Sequence, residues 1–223
     1  MEFFSKRKYE FFDMEKEQKL KVLFEKMQAD ETLPLREANL VFGEGNVDCA
    51  VMFIGEAPGQ KEDELIRPFV GRAGQLLTKM IEEIGWKRED VYITNIVKRR
   101  PPMNRDPLPE EIEAYKPYLT EQIRIIRPLV IATLGRFSMN YFLPSAKITR
   151  DQGKVFRMGS AFLVPLLHPA AALRGNEMMK LFRESFRKLP RIIEKCDELR
   201  STPTSGNGGE TDSESNEEQA HLL

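Results

Sequence analysis

Apolar residues recur along this chain in two rhythms: helical spacings of three and four, and short unbroken runs. Over residues 9–29, Leu20, Leu23, Phe24 and Met27 keep the first rhythm, which predicts an amphipathic helix broken by Pro34. VDCAVMFIG (47–55) keeps the second and predicts a buried strand ending at Gly55. GEAPG (55–59) holds too much Gly and Pro to extend a strand or start a helix, so it reads as a loop. Leu76, Leu77, Met80, Ile81 and Ile84 predict the next helix, stopping near Gly85. VYITNIV (91–97) is a second strand, and the prolines of KRRPPMNRDPLP (98–109) end it. A helix follows over 110–126, which Pro117 should kink or divide. PLVIATLG (128–135) and AFLVPLL (161–167) supply a third and a fourth strand, and HPAAALRGN (168–176) the loop after them. Met178, Phe182, Phe186 and Leu189 mark a last helix, expected to end before Pro190.

Four buried strands alternating with helices predict an α/β fold, a parallel sheet with both faces covered. In such sheets ligands bind beyond the carboxyl ends of the strands. Glu56, Asn95 and His168 all fall at or just past a predicted strand end, on one expected rim. Residues 1–200 are expected to form one domain. The stretch from 201 to 223 has almost nothing to bury and reads as a disordered acidic tail.

Composition narrows the classes. With 41% hydrophobic and 31% charged residues, the chain can build a core. No apolar run approaches the roughly 20 residues that span a bilayer. The opening MEFFSKRKYEFF alternates charge with aromatics and lacks a signal peptide's apolar stretch, so a cytoplasmic protein without membrane contact is expected. Two cysteines, Cys49 and Cys196, are too few for a disulfide framework or a cysteine cluster, and with two histidines they leave no metal site to expect. The near-zero net charge conceals an asymmetry. Residues 201–223 hold Glu210, Asp212, Glu214, Glu217 and Glu218 but no Lys or Arg; removing those five from 35 acids leaves 30 against 34 bases. The part expected to fold is mildly basic, which suits an anionic partner.

Each candidate residue has a functional and a purely structural reading. Glu56 suits orienting a water or binding a ligand; it also suits bracing its own loop. The Asn95 amide, donor and acceptor together, suits the edge of a planar base, or loop bracing. His168 can donate to a developing anion, or serve as a satisfied core histidine. Phe69 offers a flat face for a base or a packing contact, and Gly71 permits a phosphate close to a helix start. Lys98, Arg99, Arg100 and Arg105 set four positive charges within eight residues on a loop stiffened by Pro101 and Pro102, and Arg174 adds another beside His168. Such groups suit phosphates.

Taken in order, LVFGEGN (40–46), GEAPG, PFVGRAGQLL, YITNIVKRRPPMNRDP, EEIEAYKPYL and HPAAALR resemble the family-four uracil-DNA glycosylases, over about residues 33–189. The resemblance implies a three-layer α/β/α domain around a four-stranded parallel sheet. It implies hydrolysis of the N-glycosidic bond of deoxyuridine in DNA, single- or double-stranded, by a monomer that releases uracil and leaves an abasic site. Glu56 then lies in the water-activating motif, Phe69 stacks under uracil, Asn95 reads its polar edge and His168 donates to O2. Leu173 becomes the minor-groove wedge, with Arg174 near the backbone. Ala57 stands where family-one enzymes carry an Asp general base.

The family's usual [4Fe–4S] cluster meets Asp30, Leu33, Arg99 and Tyr115 at the positions of its four cysteines, so no cluster and no other cofactor is expected. Leu33 and Tyr115 would replace it with buried contact. Asp30 and Arg99 would form an ion pair, unless Arg99 faces DNA. The KRR run also resembles relatives that trap uracil-DNA covalently, but PP follows it here and the loop has no histidine, so trapping is not expected. Two other readings compete: a non-catalytic module binding uracil-containing or single-stranded DNA, and a hydrolase of small nucleotides.

Overall fold

Side chains of a strand alternate between its two faces, and in this chain both faces of the central strands are apolar. The computed structural model describes residues 2–201, with side chains over 15–200. Its strands are β1 (Glu44–Gly45), β2 (Val51–Gly55), β3 (Tyr92–Asn95), β4 (Val130–Leu134), β5 (Phe156–Met158) and β6 (Ala161–Leu166), in one sheet ordered β1-β3-β2-β4-β6-β5. The helices are α1 (Glu2–Ala29), α2 (Gln60–Leu65), α3 (Arg72–Glu83), α4 (Pro109–Ile126), α5 (Arg136–Phe142), α6 (Ile148–Asp151), α7 (Pro169–Ala172) and α8 (Asn176–Ser201).

The four predicted strands form the parallel centre, β3-β2-β4-β6. Antiparallel β1 and β5 flank it as edges; at two and three residues they are too short to register as a periodic run. On one face Val51, Phe53, Val130, Ala132 and Val164 pack against Leu77, Met80 and Ile81 of α3 and Phe182 and Phe186 of α8. On the other, Met52, Ile54, Ile131 and Leu163 pack against Leu20, Leu23 and Met27 of α1 and Tyr115 and Leu119 of α4. This is the three-layer α/β/α arrangement.

The helix breaks expected at the two prolines are corrected. α4 runs undivided through Pro117, because Tyr115, Tyr118, Leu119 and Gln122 on either side of it bury one continuous face. α8 continues through Pro190 to Ser201, since the stripe of Phe182, Phe186 and Leu189 carries on as Ile192 and Cys196. Burial of that stripe outweighs the lost N–H, whose cost is about 3 kcal/mol in a helix interior. The expected acidic tail, except for Ser201, lies outside the described residues. No described helix is long and apolar enough to cross a membrane.

Candidate active site

All four parallel strands deliver chemistry at their carboxyl ends. β2 ends in Gly55 and Glu56, β3 in Asn95, β4 leads into Arg136, and β6 leads into His168. With Phe69, from the loop before α3, these side chains line one cavity of ≈ 680 Å³.

Close approach to Gly55 places two of the side chains that line this cavity. Gly55 stands level with Asn95 in the parallel register. A Cβ on Gly55 would lie 2.4 Å from Asn95 Oδ1 and 2.4 Å from Phe69 Cζ, so only glycine lets both side chains lie against the strand. Phe69 is buried with φ 50°, a left-handed conformation that costs a non-glycine residue about 1–2 kcal/mol. Two contacts hold it there. Its backbone rests on Gly74 of α3, where a Cβ would meet the Phe69 carbonyl carbon at 1.9 Å. The next two N–H groups, of Val70 and Gly71, both donate to Glu62 Oε1 at 2.9 and 2.7 Å.

Asn95 is 1% exposed, and its Oδ1 has no hydrogen-bond partner among the described residues. Buried acceptors are rarely left unpaired, and this one belongs to a side chain that lines the cavity. The His168 ring lies 5.9 Å from that of Phe69, tilted by 38°. Its Nδ1 accepts the Ala170 N–H at 3.2 Å, which leaves the proton of the neutral ring on Nε2. Burial, reinforced by the nearby Arg174 charge, holds the imidazole down at about 4, so it is a neutral donor at physiological pH. Glu56 moves the other way. Burial, with Asp106 adding repulsion and Arg136 opposing it, pushes its carboxyl up to about 7. The cavity thus joins a neutral N–H donor, an unpaired amide, an aromatic face and a carboxyl poised to exchange a proton.

The basic residues separate into distinct roles. Arg100 and Arg174 keep solvent access. Arg105 commits NH1 and NH2 to Glu111, at 2.8 and 2.5 Å. Lys98 is a correction: it is 0% exposed, and its Nζ donates to Thr94 Oγ1 and Gln122 Oε1 at 2.6 and 2.5 Å, so no phosphate reaches it. Burial pushes this amine well below its ordinary range. Arg99 is a second correction, facing neither DNA nor Asp30. It is 6% exposed and donates to the carbonyls of Ala38 and Arg36. Gly71 stands at the start of α3, and its N–H donates to Glu62 Oε1 at 2.7 Å. Leu173 is 42% exposed at the end of α7, beside the cavity-lining Arg174.

Sequence reasoning missed Arg136, Asp106 and Glu62. Arg136 follows a predicted strand end, so the same rim rule reaches it; its NH2 pairs with Asp106 Oδ2 at 2.8 Å at the cavity mouth. Glu62 carries no such signal, because its role depends on a chain reversal after α2.

Residues 42–190 match the uracil DNA glycosylase superfamily. The type-4 uracil-DNA glycosylase of Saccharolobus solfataricus is 51% identical over 165 residues, 70% of this chain and 76% of that protein. That of Thermotoga maritima is 45% identical over 168 residues, 73% of this chain and 88% of that protein. For Archaeoglobus fulgidus the identity is 44% over 168 residues, covering 71% and 84%. The chain belongs to this superfamily and, within it, to the type-4 glycosylases.

The residues present do not fit that family's iron–sulfur cluster. Tyr118 donates to Asp30 Oδ2 at 2.5 Å, Tyr115 donates to the Pro34 carbonyl at 2.7 Å, Leu33 is buried, and Arg99 holds backbone carbonyls. Cys49 and Cys196 belong to core layers on opposite faces of the sheet, and burial pushes their thiols up to about 12 and about 11. Among the described residues no group of three or more His, Cys, Asp or Glu is arranged to hold a metal ion.

Proposed function

We propose that this glycosylase hydrolyses the N-glycosidic bond of deoxyuridine in DNA, releasing uracil and leaving an abasic site. The observation that carries the reading is that Asn95, whose buried Oδ1 has no partner among the described residues, lines the same cavity as Phe69 and His168. A uracil base has a flat face for Phe69, an N3–H donor for Asn95 Oδ1 and an O2 acceptor for His168 Nε2–H. Arg100 and Arg174 supply backbone contacts, and Leu173 fills the space that the extruded nucleotide leaves.

Glycosidic cleavage leaves the bonding pair on uracil N1, with charge spread onto O2. A fixed neutral donor is strengthened there by the low dielectric of a closed site. Water attacks C1′ and passes a proton to the Glu56 carboxylate; the uracil anion then takes a proton from solvent. Because His168 acts on charge that develops in the transition state, its removal should slow the chemical step more than it weakens binding. His168→Ala is expected to lose about 10²–10³-fold in single-turnover uracil release with DNA affinity retained. Equal rates for the two proteins would remove His168 from this role. No release by the wild type from single-stranded, U·G or U·A DNA would leave a binding module instead.

A further inference from the structure

Among the large apolar side chains described, Met103 is the most exposed, at 92%. It sits at the tip of the loop that leaves β3, with φ 55° and ψ 22°, and Asn104 beside it has φ 56°. Two consecutive non-glycine residues in the left-handed region are uncommon and unfavourable. Strain of this kind persists where surrounding bonds over-determine the backbone. Here they do. The Asn104 and Arg105 N–H groups bond back to Pro101 and Pro102, and Arg100 Nε donates to Asn104 Oδ1 at 2.6 Å. Arg105 is clamped to Glu111, and Asp106 is tied to Arg136. The loop therefore holds rigidly outward an apolar side chain that buries nothing within the molecule.

Its placement gives that side chain a use. Asn104 and Asp106 line the cavity from the β3 side, and Ala170, Ala171 and Arg174 line it from the β6 side. β3 and β6 are the outer two of the four parallel strands. At about 4.8 Å per strand spacing, their ends stand roughly 14 Å apart, with the Glu56 loop between them. Met103 and Leu173 are thus exposed apolar residues each next in sequence to a lining residue, Asn104 on the β3 side and Arg174 on the β6 side. Minor-groove proteins insert single Phe, Leu, Ile, Met or Pro side chains between base steps to unstack them.

We propose that Met103 is a second wedge, inserted into the base stack of duplex DNA beside the extruded nucleotide, on the side away from Leu173. The inference rests on the glycosylase reading above and adds to it a preference for a stacked duplex. A single strand has less stacking to open, so it should depend on Met103 less.

Single-turnover uracil release from U·A duplex and from the matching single strand tests this with the wild type, Met103→Ala, Met103→Gly and Met103→Leu. For the Ala and Gly variants the duplex-to-single-strand rate ratio is expected to fall at least tenfold, while Leu keeps it within threefold. Met103→Gly relieves the left-handed strain, so its Tm should hold or rise by about 2–4 °C while duplex activity falls. A residue serving only to fold the loop would move stability and activity down together. An unchanged ratio in the Ala and Gly variants, or a joint loss of stability and activity on both substrates, would overturn the proposal. If the wild type releases no uracil from either substrate, the glycosylase reading fails instead. Fluorescence of 2-aminopurine beside the uracil then decides on the wedge: brightening with wild type but not with Met103→Ala upholds it, and equal signals reject it.

Discussion

Glu56 and His168 sit in the same cavity, and their proton affinities are driven apart by one cause, burial, acting on groups of opposite charge type. Burial disfavours the carboxylate and so raises Glu56 to about 7. It disfavours the imidazolium and so lowers His168 to about 4. The proposed chemistry needs Glu56 ionised to take a proton from water and His168 neutral to donate from Nε2. Both conditions hold above about 7, and between about 4 and 7 only the second does. The kcat/KM for uracil release should therefore climb with pH through a midpoint near 7 and stay level beyond it. Glu56→Gln should lose most of the activity and the midpoint with it. A wild-type profile with no inflection between 6 and 8 would argue against Glu56 as the proton acceptor. Glu56, Asn95 and His168 were legible as candidates because each closes a predicted strand. The shifted affinities of Glu56 and His168 were not, since they depend first on burial by the assembled loops and then on Asp106, Arg136 and Arg174 arriving beside them.

At the scale of elements, the segment between α1 and β1 is fastened to α4 by hydrogen bonds. Tyr115 reaches the Pro34 carbonyl, Tyr118 reaches Asp30, and Arg99, beside Tyr115, reaches Ala38. Tyr115→Phe should cost about 1 kcal/mol in urea unfolding. Arg99→Ala should cost about 1–3 kcal/mol, because it strips the donor from buried carbonyls. Chelator should leave the wild-type midpoint unmoved, and the purified protein should carry no iron; a chelator-sensitive midpoint would show that a metal holds this segment. The sequence pointed to the four substituted positions and to buried contact from Leu33 and Tyr115. It left Arg99 between a pair with Asp30 and a face toward DNA and did not reach its backbone partners, because opposite charges in a sequence say nothing of carbonyls that compete for the guanidinium. Helix limits failed for a related reason: a proline is a local signal, and an apolar stripe running past Pro117 or Pro190 outweighs it.

For the whole molecule, the relevant charge is the one that faces solvent at the cavity mouth. Lys98 and Arg99 count in a tally of bases but are buried, and Arg105 is bound to Glu111. Arg100 and Arg174 keep solvent access, and the proposed function gives them the phosphates. Each phosphate contact steepens the salt dependence of DNA binding by about 0.9 in log–log slope. Arg174→Ala should flatten that slope by about one contact, whereas Lys98→Met should leave it alone and lower stability instead. A flatter slope for Lys98→Met would mean that the amine leaves its pocket on binding.

Taken by itself, the chain determined the four parallel strands, the helices between them and the rim where they end, because a strand or helix face is written in the spacing of its apolar residues. Family membership was legible for a similar reason, in the order of the loop motifs. Tertiary structure alone decided that Glu62 holds the turn bearing Phe69, that Gly55 lets Phe69 and Asn95 lie together, and which bases stay in water. Those outcomes turn on partners that only the packing of separate elements brings together, and no local pattern records which carbonyl or carboxylate will meet a given loop side chain.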